Sequence, residues 1–113
     1  MSKQYLQKRS DAKFRISITD SAGRPVDPSK CDLRFDFYTS RSRRIKIERK
    51  ANEPFPPGMS IDGQQVVVAL DAPNFTEGTL YVRFRTRVHD TAFPDGYYDI
   101  SSGEIDTNIE VVD

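Results

Sequence analysis

Apolar residues in this chain recur at every second position. Phe14, Ile16 and Ile18 alternate with Arg15, Ser17 and Thr19; Leu33, Phe35 and Phe37 alternate with Arg34, Asp36 and Tyr38. The longest run sets Leu80, Val82, Phe84, Thr86 and Val88 against Tyr81, Arg83, Arg85 and Arg87. A period of two puts one set of side chains on one face of a strand and the other set on the opposite face. No segment longer than two turns carries the helical period. Ile45 with Ile47, Val66 with Val68 and Leu70, Tyr97–Ile100, and Ile105 with Thr107, Ile109 and Val111 bring the count to seven short runs. Turn residues separate them, as in Ser21-Ala22-Gly23-Arg24-Pro25.

Seven short, half-apolar strands predict an all-β fold, a single immunoglobulin-like (Ig-like) antiparallel sandwich. A length of 113 residues suits one such domain. The expected division is a flexible arm over 1–12 and the sandwich over 13–113. The core is expected to include Phe14, Phe35, Phe37 and Phe84. The segment Asp71–Gly78 is expected to hold one helical turn whose Phe75 plugs the end of the core. Residues 51–63 contain Pro54, Pro56, Pro57, Gly58 and Gly63 and read as a long loop.

Residue counts exclude most chemistry. One cysteine, Cys31, rules out an internal disulfide or a Cys-based zinc site, and His89 is the sole histidine. His89 adjoins Asp90, but neighbours along a strand point to opposite faces, which makes a catalytic pair awkward. Cys31 reads as a buried or idle thiol. Asp90, Asp95 and Asp99 surround Pro94-Asp95-Gly96, an ordinary turn signature and not a calcium loop. There is no phosphate loop and no nucleophile motif. The chain reads as a non-enzyme with no metal and no cofactor. No apolar run is long enough to span a membrane, and Met1–Ala12 lacks the apolar stretch of a signal peptide.

Charge is balanced overall and polarised along the chain. Residues 1–50 hold 14 basic and 6 acidic residues; residues 51–113 hold 3 basic and 11 acidic. Such a split fits internal pairing of strands, an interaction surface, or basic-on-acidic packing of subunits. The basic cluster Arg41, Arg43, Arg44, Lys46, Arg49 and Lys50, with the ladder Arg83, Arg85 and Arg87 beside Tyr81, could grip a phosphate backbone. The zero net charge weighs against nucleic acid, and Glu104, Asp106 and Glu110 are candidate partners for the ladder. Candidate subunit contacts are Tyr5 and Leu6 in the arm, Arg43 and Arg44 in the basic cluster, Phe55 and Met59 in the proline loop, and Arg83, Arg85 and Arg87.

Several stretches form a recurring layout. These are Leu70-Asp71 followed by Gly78-Thr79-Leu80-Tyr81-Val82-Arg83-Phe84, then Val88 through Pro94-Asp95-Gly96, then Ile105-Asp106-Thr107-Asn108-Ile109-Glu110-Val111. The layout resembles small virion proteins of tailed phages that infect Bacteroides and its relatives, including crAss-like phages. Phe14–Asp20 through Gly23, Pro25 and Val26 is similar to the first hairpin of Ig-like baseplate and tail-fibre adaptor domains. The resemblance implies a virion structural role without catalysis: a head-fibre, capsid-decoration or fibre-adaptor protein. It implies a homo-oligomer, with a trimer favoured, in contact with capsid, fibre or tail components. With Asp113 directly after the last strand, a stand-alone adaptor is expected over a receptor-binding fibre. Two other readings stand beside it: an Ig-like binding or adhesion module of a Bacteroides-type bacterium, and a nucleic-acid-binding accessory protein that uses the arginine-rich strands.

Overall fold

A computed structural model describes residues 3–113. Its strands are β1 (Gln4–Gln7), β2 (Ala12–Ser17), β3 (Cys31–Tyr38), β4 (Ile45–Arg49), β5 (Met59–Asp62), β6 (Gln65–Leu70), β7 (Gly78–His89), β8 (Tyr97–Ser101) and β9 (Ile105–Val112). They form two layers. The large sheet runs β1-β9-β7-β3-β4, with β8 also paired to β7; the small sheet runs β2-β6-β5. One layer with the second, fifth and fourth Ig strands and another with the third, sixth and seventh is the Ig-like order.

The two longest alternating runs form the spine. β3 and β7 pair antiparallel over their full overlap, with Phe35 opposite Phe84 and Phe37 opposite Val82. β7 is long enough to serve two neighbours on its other edge: its first half pairs with β9 and its second half with β8. The inward set of β3 (Cys31, Leu33, Phe35, Phe37) is fully buried, together with Val66 and Val68 of β6 and Leu80 of β7. Phe14 of β2 stacks on Phe37 across the sheets, with ring centroids 4.6 Å apart.

Several features differ from expectation. The chain has nine strands among its described residues, not seven. The sandwich is not wholly antiparallel, because β1 pairs parallel to β9, Gln4 with Ile109 through Gln7 with Val112. Residues 3–12 are therefore not a free arm; Met1 and Ser2 lie outside the described residues. The proline loop shortens, because Met59–Asp62 form β5 and pair with β6. Gly58 makes that entry possible. Its φ is +87°, and a Cβ there would lie 2.6 Å from the carbonyl oxygen of Ala69, whose own N–H donates to Gly58 at 2.7 Å.

Finally, Asp71–Gly78 holds no helical turn. A single 3₁₀ turn lies instead at Pro28–Lys30, where Pro28 supplies a preset φ and Asp27 accepts from the Ser29 N–H at 3.0 Å. Phe75 does plug the core, at 2% exposure. Phe84, expected in the centre, is only half-buried.

Candidate functional site

Burying one set of side chains on β3, β4 and β7 forces the alternate set outward, so the charged halves of three alternating runs share one surface. Register then decides which charges meet. Asp32 faces Arg87, Asp36 faces Arg83, and Tyr38 faces Tyr81 across β3 and β7. Arg34 faces Glu48 and Asp36 faces Lys46 across β3 and β4. Asp99 of β8 faces Arg87 from the other side.

The arginine ladder is paired along its length. Arg87 Nε donates to Asp99 at 2.9 Å, Arg85 reaches the same carboxylate at 3.9 Å, and Arg83 lies 3.9 Å from Glu104. The hydrogen bond from Arg87, with the charges of Arg87 and Arg85, holds the Asp99 carboxyl below its ordinary value. Within β3, Arg34 lies 3.4 Å from Asp36, and within β4, Lys46 lies 3.7 Å from Glu48. Of the three acidic partners named from sequence, Glu104 meets the ladder, while Glu110 pairs with Lys3 at 3.9 Å.

Aromatic groups bracket this ladder at both ends. At one end Arg87 lies over the Tyr97 ring, 3.8 Å from its centroid. At the other, Arg44 lies 4.6 Å from the Tyr38 centroid, and Tyr38 and Tyr81 have centroids 5.8 Å apart. The Tyr38 hydroxyl donates to Glu104 at 2.6 Å and accepts from Arg83 Nε at 3.0 Å. Burial and the bond to Glu104 raise its pKa. A depression of about 210 Å³ lies mid-face, among Arg34, Glu48, Lys50, Arg85 and Asp99.

The contact candidates separate by burial. Arg83, Arg85 and Arg87 share this face, and Arg44 extends it at the turn after β3. Arg43 is exposed on the same turn and makes no ion pair among the described residues. Tyr5 is 67% exposed and Leu6 half-buried on β1, away from the ladder.

Met59 is not an exposed anchor: at 5% exposure it belongs to the core. Phe55 is no free loop residue either, because it packs on the core beneath Arg49, 4.1 Å from the guanidinium. Arg49 itself leaves the basic cluster for the interior and donates to the carbonyls of Glu53 at 2.9 Å and Ser29 at 2.8 Å. Sequence reasoning missed this, although Arg49 continues the inward period of Ile45 and Ile47 and faces Leu33 of β3.

The remaining chemical groups are dispersed. His89 Nε2 lies 3.5 Å from Asp32, not against Asp90, and both are at the surface. Cys31 is fully buried; burial first, then the nearby Asp27 and Asp32, push its thiol up to about 11. Asp90 accepts from the Ala92 N–H and shapes the β7–β8 turn. Among the described residues, no three His, Cys, Asp or Glu side chains come together as a metal site would require. In comparison with known proteins, no family model matches this chain, and no curated protein matches it.

Proposed function

We propose that the protein is a non-catalytic assembly module, an Ig-like head-fibre, decoration or fibre-adaptor component of a tailed-phage virion. The virion part of this reading rests on the sequence resemblance. The assembly part rests on one structural observation: the outer face of β8-β7-β3-β4 presents arginines already held by neighbouring carboxylates, with the half-buried Tyr81 and Tyr97 beside them. Tyrosine and arginine dominate the energetics of protein interfaces. Side chains ordered before contact lose less freedom on binding. The same pairing disfavours the nucleic-acid reading, because a guanidinium engaged with a carboxylate must break that contact to neutralise a phosphate.

Two measurements test the proposal. Mass spectrometry of purified particles of the phage that encodes the chain should find it at a fixed ratio to the capsid protein; its absence from the particles would overturn the virion reading. Light scattering should give a homo-oligomer, a trimer being favoured. A monomer at high concentration that binds no virion protein would overturn the assembly reading.

A further inference from the structure

The small sheet leaves one edge of β2 without a partner strand among the described residues. In the Ig-like arrangement the first strand can lie on this edge. Here β1 instead joins β9 in the other sheet.

A groove of about 400 Å³ runs beside the open edge, between the two sheets. Phe14 and Ile16 of β2 line the wall on the small sheet, and Phe84 of β7 with Ile105 and Ile109 of β9 the wall on the large sheet. All of these side chains remain partly exposed, Ile105 to 38%. β5, at the other margin of the small sheet, is only four residues long.

The outward residues of β2 bear on what can pair there. Lys13 makes no ion pair among the described residues. Arg15 leans across β6 to Asp62 at 2.7 Å and stays about half exposed. Antiparallel pairing of β2 with β2 of a second copy would set these cations against one another, which is destabilising. An incoming strand with acids at its outward positions would meet Lys13 favourably, Arg15 being held by Asp62, while its alternate apolar side chains entered the groove.

We infer that β2 is a docking edge for an extended segment of another protein, about six residues long, in which apolar and acidic residues alternate. It would add as a fourth strand to the small sheet. This inference stands apart from the virion reading, since it names an edge and a partner chemistry whatever the assembly.

The test uses the full chain and two capped synthetic octapeptides, one alternating valine with glutamate and one alternating valine with lysine, followed by amide NMR. The valine–glutamate peptide should shift and protect amides of residues 12–17 and perturb Ile105. The valine–lysine peptide should bind several-fold more weakly. The double variant Lys13→Glu with Arg15→Glu, its fold checked by the same spectra, should reverse the preference by about 3- to 10-fold. Failure of the preference to reverse would overturn the inference, as would shifts confined to the outer face of the large sheet, no shifts with either peptide, or dimerisation through β2.

Discussion

On the large sheet, each arginine of β7 lies 3.9 Å or less from a carboxylate, and β3 and β7 have strands on both sides. On the small sheet, Lys13 is unpaired among the described residues, and β2 and β5 both lie at margins. The same alternating pattern built both. The difference comes from neighbours: an interior strand has its outward charges matched on two sides, whereas a marginal strand leaves half its matching undone. Stability should therefore concentrate in the β3–β7 spine, and adaptability along β2.

The largest test of that division compares two phenylalanines. Phe37→Ala, at 0% exposure and stacked on Phe14, should cost about 3–5 kcal/mol in urea unfolding. Phe84→Ala, on the groove wall, should cost about half as much. Equal losses would break the distinction between spine and groove.

Gly58→Ala comes next, at about 1–3 kcal/mol, because a positive φ and contact with Ala69 act together. Thermal melts would show whether the small sheet depends this strongly on one backbone position. Thr86→Val on β7 should change stability in the other direction, by about +1 kcal/mol. Its hydroxyl is fully buried and finds no hydrogen-bond partner among the described residues. A lower melting temperature for this variant would mean that the spine needs a polar group there.

The smallest effect is acid sensitivity. The Asp99 carboxyl is held below its ordinary value of 3.8 by Arg87, so its contribution is present above that value and lost as pH falls through the lower folded one. Asp99→Asn should flatten the acid limb of a stability–pH curve. Asp20 and Asp27, lowered by hydrogen bonds from Arg24 and Ser29, would keep part of the slope.

Most of the spine was legible from sequence because β3 and β7 are long enough for alternation to stand out. β5 was hidden: Met59-Ser60-Ile61-Asp62 alternates for four residues only, directly after three prolines and a glycine, and turn composition outweighed it. β1 was hidden for another reason. Gln4-Tyr5-Leu6-Gln7 has no period of its own, and β9 recruits it through backbone hydrogen bonds that any sequence can make. The outer face was half legible. Alternation showed which residues point outward, but the carboxylate that each arginine meets depends on register and on the double use of β7. The missing strand beside β2 could not be read at all, since it follows from where β1 goes.

The parallel pairing of β1 and β9 has a mechanical consequence. Tension drawn outward through the start of β1 and through the end of β9 acts along the strands in opposite directions. The four-residue register between Gln4–Gln7 and Ile109–Val112 is then loaded in shear, all its bonds together, and not peeled open one at a time. This short seam is where the domain would resist being stretched, and its rupture would release β1 before the β3–β7 spine carried any load.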